Sequence, residues 1–346
     1  MSYFSLIIGV LYFFSLASVF FARFLNLRIG NVIAVVIAFI AFLGAALRPW
    51  DFPDVDTYEL MFDHAATGAF DDPLYWVAHG EPGFKIFVYL LSFIGFNYAG
   101  FLIAMAGLSY ILLLYISRIS SIPFAYLWFT YFSYFFITRD LGVLRLSIAS
   151  HLIIIFFLQR KVIWQSITIL FTSLTFQFFA LIAVFAKISS YFKISPFSIL
   201  LLFLISFALS QFINFDAIKF LLPDEQVTNL SGAAVVQTSG GSIVVPIVRN
   251  TFFACLIYYF MRNEIRLRYY RVWIWAAIFS VSFYILASGI LVVGQRFSAY
   301  FGVIIPVALA YIMHRQSIRN DNFLLIVLVC LLNFASLFYF NSWLWR

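Results

Sequence analysis

Apolar residues run through this chain in long blocks separated by short polar breaks. The blocks lie roughly at 2 to 22, 30 to 47, 98 to 117, 122 to 138, 142 to 159, 196 to 213, 246 to 261, 272 to 293, 297 to 313 and 323 to 341. At about 1.5 Å of rise per helical residue, such blocks approach the roughly 30 Å of a bilayer's hydrocarbon core, and the pattern predicts ten membrane spans. Two segments fit less simply. Residues 83 to 95 are too short to cross and follow a polar loop, which predicts a re-entrant or interfacial helix. Residues 162 to 186 are long for one span and short for two, and read as a tilted helix or as a hairpin of two half-helices around Gln177. The expected fold class is therefore all-α, a polytopic transmembrane helix bundle of about ten spans with short re-entrant or interfacial helices. It forms a single membrane domain over residues 1 to 346, with long polar loops at 48 to 82 and 214 to 245.

Composition narrows the class without choosing a function. Hydrophobic residues make up 64% of the chain and charged ones 10%, against about half and a quarter in soluble domains. Mean hydropathy is +1.03, spread along the whole length, which excludes a soluble domain with one anchor and a secreted protein with a cleavable leader. Cys255 and Cys330 each sit alone in an apolar run, and both are expected to be buried free thiols. The net charge of +7 would suggest nucleic acid for a soluble protein, but in a membrane protein it reports loop orientation, and no nucleic acid partner is expected.

Charge position gives the orientation, because Lys and Arg resist translocation while Asp and Glu contribute little. Alternating the ten spans, with 162 to 186 as a hairpin, gathers 13 of the 21 basic residues on one side, the strongest cluster being Arg262, Arg266, Arg268 and Arg271. The other side receives 12 of the 14 acids and both long loops, so that side is expected to be external and the basic side cytoplasmic. Both termini are then external as well. A single crossing by 162 to 186 would set the charges of the two halves in conflict, which favours the hairpin. The second loop contains Ser231-Gly232-Ala233-Ala234 and Ser239-Gly240-Gly241-Ser242, a composition that suits a plain connection more than a lid.

Against this orientation, Arg48, Arg139, Arg145 and Arg296 stand at or just inside external helix ends, where the positive-inside tendency disfavours them. A guanidinium near hydrocarbon needs a partner or a wet cavity. Its planar fork matches phosphate oxygens in a bidentate way, so several converging arginines suit a diphosphate. The competing reading is that each pairs with a local acid, Arg139 with Asp140 or Arg48 with Asp51.

The first loop offers Asp54, Asp56, Tyr58, His64, His79 and Glu81. Asp54 and Asp56 are two apart and point the same way if extended, as candidate base, sugar-hydroxyl acceptor or metal ligands. No spacing there is diagnostic of a metal, and no metal or cofactor is expected. The bland reading is a solvated acidic loop, with Asp caps on a short helix near Thr57 and Glu81 capping another near Pro82. His151 reads as a packing residue, whereas Gln177 in apolar surroundings offers an amide to a sugar or diphosphate.

Together these residues resemble the EpsG-like group of Wzy-class polysaccharide polymerases. Arg48 with Asp54-Val55-Asp56-Thr57-Tyr58 matches that family's Arg, acidic stretch and Tyr after the second span. Glu81-Pro82-Gly83-Phe84 matches its Glu-Pro-Gly-Phe, Leu144-Arg145-Leu146-Ser147-Ile148-Ala149 its Ile-Arg-Gln-x-x-Ala, and Arg296 with Tyr300 its late Arg and Tyr. The resemblance covers residues 40 to 190 and continues beyond them only in hydropathy and Arg296. Leu146 stands where the family often has Gln, and Thr175-Phe176-Gln177 where it usually has Phe-His, so the family's His is missing here.

The resemblance implies a glycosyltransferase in a bacterial inner membrane, acting at the periplasmic face. It would join undecaprenyl-diphosphate-linked repeat units into O-antigen, capsule or exopolysaccharide. Donor and acceptor lipid-linked glycans and membrane lipid are then its expected partners, with a chain-length regulator a further candidate. Arg48, Arg139, Arg145, Gln177, Arg296, Tyr58 and Tyr300 would bind substrate, and Asp56, Glu81 or Asp54 would serve as base. Two other classes compete: a lipid-monophosphate-sugar glycosyltransferase using a first-loop Asp, and a flippase for the lipid-linked unit. Repeated halves with broken mid-membrane helices, common in transporters, are not visible in the sequence.

Overall fold

The computed structural model describes residues 3 to 48, 55 to 66, 81 to 212, 244 to 288, 291 to 315 and 320 to 340. Asp51, Asp54, His79 and most of the second loop lie outside the described residues. All regular structure among the described residues is helical. Contacts divide the chain into two compact units, the first of residues 1 to 178 with 306 to 346 and the second of residues 179 to 305.

In the first unit the chain forms α1 (Tyr3–Phe24), α2 (Leu27–Ala46), α3 (Val55–Ala66), α4 (Pro82–Phe93), α5 (Tyr98–Ser120), α6 (Phe124–Tyr131), α7 (Leu144–Leu158) and α8 (Val162–Thr175). The second unit holds α9 (Val184–Ser189), α10 (Pro196–Ser210), α11 (Val244–Met261), α12 (Arg268–Leu286) and α13 (Leu291–Gly302). α14 (Ile304–Arg315) enters the first unit at Pro306, and α15 (Asn320–Phe340) completes that unit.

Among the described residues, seven helical segments are long and apolar enough to cross a membrane: α1, α2, α5, residues 244 to 264, α12, residues 294 to 315, and α15. The three other expected spans also form apolar helices, but shorter ones. α7 and α10 have 15 residues each, reaching only about 22 Å. The run of α6 continues through a π turn at Phe132–Phe136 to Ile137–Arg139. For α6 and α7 the reason is burial: nearly every side chain from Phe124 to Ile137 and most of α7 is enclosed by protein. A helix wrapped by other helices need not match the hydrocarbon thickness. The segment expected as a hairpin breaks at Phe176 and Gln177, giving α8, a 3-10 turn at Phe178–Ala183, and α9. Of the two thiols expected to be buried, Cys330 is, but Cys255 is exposed, because α11 turns Phe253, Ala254 and Ile257 inward instead.

Polar ties fix the first unit's inner helices. Trp128 Nε1 donates to Ser15 Oγ at 2.8 Å, Tyr12 and Ser133 hydroxyls meet at 2.8 Å, and Asn333 Nδ2 donates to the Ser133 carbonyl at 2.6 Å. The last bond falls in the π turn, where the helical ladder opens and a carbonyl becomes available to a side chain. Beside these ties, Tyr58, Met61, Phe62, Phe84, Val88, Phe101, Met105, Leu144, Ile148 and Phe176 form one buried cluster. It binds α3, α4, α5 and α7 to the end of α8, and the polar residues described next stand on its rim.

Candidate functional site

The Glu81-Pro82-Gly83-Phe84 stretch is a set of local instructions. Glu81 occupies the N-cap of α4 in extended conformation but makes no side-chain cap bond, which leaves its carboxylate for other donors. Pro82 starts the helix, where its missing N–H costs nothing. Gly83 lies so close to the end of α8 that a Cβ there would sit 2.8 Å from the Thr175 Cα. Phe84 places its ring 5.5 Å from the guanidinium carbon of Arg145.

With α8 that close, Glu81 holds two elements at once. One oxygen accepts from Arg145 Nη1 at 3.0 Å, and the other from the Phe178 backbone N–H at 3.0 Å, just past the break at Gln177. The Arg145 and Glu81 side chains are 22% and 16% exposed, so the ion pair is partly open to the surface and not sealed in the core. Tyr58, from α3, accepts the Arg145 backbone N–H at 3.2 Å. Four separate motif positions, Tyr58, Glu81, Phe84 and Arg145, therefore meet in one place. Gln177 is half-buried beside them.

Lys85 is fully buried one turn into α4. Burial lowers its ammonium pKa, the neighbouring Arg145 charge lowers it further, and Glu81 opposes both. Asp56, on α3, is exposed.

Arg48 and Arg139 lie deeper. Both are buried, and they serve the turn between Arg139 and Leu144. Arg48 Nη1 donates to the carbonyls of Leu141 at 2.8 Å and Asp140 at 3.4 Å. Arg139 Nη1 donates to Ser150 Oγ at 2.7 Å, and its guanidinium carbon lies 4.7 Å from the Phe135 ring centre. Asp140 accepts from Tyr131 Oη at 2.6 Å and from Ser147 Oγ, whose hydroxyl also meets that of Ser109 at 3.2 Å. Burial pushes the Asp140 carboxyl up to about 6, against those two hydroxyl bonds and the Arg139 charge, which hold it down. His151 is buried on the same face of α7, its Nδ1 bonded to the Ser147 carbonyl at 2.8 Å.

These bonds make Arg48 a clamp on a buried turn. Arg48→Met keeps much of the side chain's bulk while removing its donors, and is expected to cost about 1 to 3 kcal/mol. A thermal unfolding midpoint in detergent equal to the parent's would rule that role out.

Arg296 and Tyr300 lie on α13 in the second unit, Arg296 exposed and Tyr300 buried. Nearby in that unit Asn250 Nδ2 donates to Ser298 Oγ at 3.0 Å. Among the described residues no three His, Cys, Asp or Glu side chains converge as a metal site would require.

The first unit thus brings together Tyr58, Glu81, Arg145 and the Gln177 break, and separately gathers Arg48 and Arg139 around Asp140. Sequence reasoning did not reach Lys85, Tyr131, Ser147 or Ser109. The i, i+4 step from Glu81 to Lys85 is a local signal for Lys85, whereas Tyr131, Ser147 and Ser109 reach Asp140 only through helix packing.

Comparison with curated proteins and with solved structures gives no match. The EpsG family model matches residues 31 to 345, and the chain belongs to that family.

Proposed function

We propose that this EpsG-family membrane protein is a glycosyltransferase that polymerises undecaprenyl-diphosphate-linked oligosaccharide repeat units at the periplasmic face of a bacterial inner membrane. Family membership supports a membrane protein of polysaccharide-polymerase type. The finer reading is carried by one observation: a partly exposed Arg145 shared between the Glu81 carboxylate and the Phe84 ring.

The chemistry needs three things. A lipid diphosphate leaves readily if its growing charge is met, an acceptor hydroxyl must approach the anomeric carbon, and its proton needs a destination. In this reading Arg145 turns part of its fork from Glu81 to the donor diphosphate. Both Glu81 oxygens are occupied at rest, so this exchange frees one of them when the donor is seated. The acceptor oxygen then bonds to the anomeric carbon. The bond from that carbon to the diphosphate oxygen breaks, its electron pair leaves with the diphosphate, and the hydroxyl proton passes to Glu81. Exposed Asp56 is the second candidate for that proton, and Asp54 lies outside the described residues. Tyr58 and Gln177 hold the site's walls, while Arg48 and Arg139 set the turn that carries Arg145. Arg296 and Tyr300 are assigned to substrate binding from the family resemblance.

The reading is tested with the purified chain in liposomes, supplied with a single diphosphate-linked repeat unit. Products spaced by one repeat-unit mass are expected. Activity that is lost on chelation and restored by a divalent ion, with a lipid monophosphate donor, would replace it with the monophosphate mechanism. Movement of the lipid-linked unit across the bilayer without elongation would replace it with transport.

A further inference from the structure

The opposite end of the first unit carries a feature that polymerisation does not use. Where α5 and α7 end and α8 begins, a cavity of about 350 Å³ is lined by Ile119, Leu158, Gln159, Arg160, Lys161 and Trp164. α7 has Arg145 in its first turn and this cavity at its last residue, Leu158, so about 20 Å separate the two. The same end holds Arg28, since Asn31 on α2 accepts the Ala125 backbone N–H at 3.0 Å just beyond the end of α5.

The lining divides by chemistry. Leu158 gives a buried apolar wall, Arg160 and Lys161 are exposed cations, Gln159 adds an amide, and none of the six lining residues is a carboxylate. Trp164 stands at the edge, 53% exposed. From it an apolar row continues along one face of α8, with Ile167, Phe171 and Leu174 exposed by 49%, 51% and 62%. Steps of three and four residues keep that row on one side of the helix. In a chain that crosses a bilayer, such a row meets acyl chains, and an edge tryptophan suits the headgroup level.

We propose that this cavity binds the phosphate headgroup of an anionic diacyl phospholipid whose tails lie along the Trp164, Ile167, Phe171, Leu174 row. The volume is at the low end for ligand pockets, enough for a headgroup with its chains left outside. Basic pockets between membrane helices recognise anionic headgroups in this way. A zwitterionic headgroup brings an ammonium that Arg160 and Lys161 repel, and inorganic phosphate has nothing to place on the apolar row.

The test uses the full-length chain purified in a mild detergent, with lipid adducts counted by native mass spectrometry during titration with phosphatidylglycerol or phosphatidylcholine. Phosphatidylglycerol is expected to bind preferentially. The Arg160→Gln, Lys161→Gln double variant should weaken it about tenfold or more, because each cation near an anionic headgroup contributes roughly fivefold. Both substituted side chains are exposed, and unfolding midpoints confirm that the variant is folded. A control with Arg28→Gln and Arg23→Gln, the latter in the last turn of α1 just before α2 begins, removes the same charge from the same end and should bind as the parent does. Three outcomes would overturn the proposal: undiminished phosphatidylglycerol binding by the double variant, an equal loss in the control, or displacement of the lipid by equimolar inorganic phosphate.

Discussion

Arg145→Ala is expected to abolish polymer while leaving single capped repeat units, with protein level and membrane insertion unchanged. In the proposed mechanism this guanidinium meets the leaving diphosphate, and losing one preorganised donor to a developing charge lowers turnover by about 10² to 10³. Arg145→Lys should recover little, because an ammonium keeps the charge but lacks the fork that serves a carboxylate and a diphosphate together. The backbone N–H of residue 145 still donates to Tyr58, so the start of α7 is retained. The measurement is the banding pattern of polymer from cells carrying each variant. Full-length ladders from Arg145→Ala at normal protein level would remove Arg145 from the chemistry.

Glu81→Gln separates a proton acceptor from a mere strut. The amide oxygen can still accept the Phe178 N–H, so the contact between α4 and the break after α8 persists. What disappears is the ability to take a proton, and turnover should fall by about 10² to 10⁴ with donor affinity little changed or improved. Improvement would follow because Arg145 no longer has a carboxylate to leave before it reaches the diphosphate. The readout is single-turnover rate against donor concentration. A variant that keeps more than about a tenth of parental turnover would make Glu81 structural and pass the proton to Asp56.

Much of the site was legible because its residues sit at helix starts, where sequence carries strong local signals. Glu81-Pro82-Gly83-Phe84 announced a helix beginning near Pro82 with Glu81 at its cap, and α4 does begin at Pro82 with Glu81 in that position, its carboxylate turned to Arg145 and Phe178 instead of the cap. Val55–Ala66 likewise forms the short helix expected near Thr57. Pairing was harder. Arg139 beside Asp140 reads as an ion pair in sequence, yet Arg139 Nη1 reaches Ser150 while Tyr131 and Ser147 supply hydroxyls to Asp140. Neighbours along a helix end point in different directions, and the partner is chosen by the helix packed opposite. Lys85 was missed for a related reason, since a cation one turn inside an amphipathic helix is normally solvated. Ten apolar blocks gave ten expected spans, but block length does not tell a lipid-facing helix from one enclosed by protein: α6 and α7 are short and enclosed, α10 is short and mostly exposed, and the segment from 294 to 315 is enclosed yet long enough to span. The family resemblance was visible over residues 40 to 190, whereas the family match extends to residue 345, where hydropathy alone gave no motif beyond Arg296 and Tyr300.

The proposed polymerase mechanism requires Arg145 to grip the donor's diphosphate. Equilibrium binding of undecaprenyl diphosphate, with no sugar attached, to the purified parent and to Arg145→Gln measures that grip without any turnover. Loss of a charge-assisted fork should weaken binding by about tenfold to a hundredfold. Equal affinity in the two proteins would contradict it.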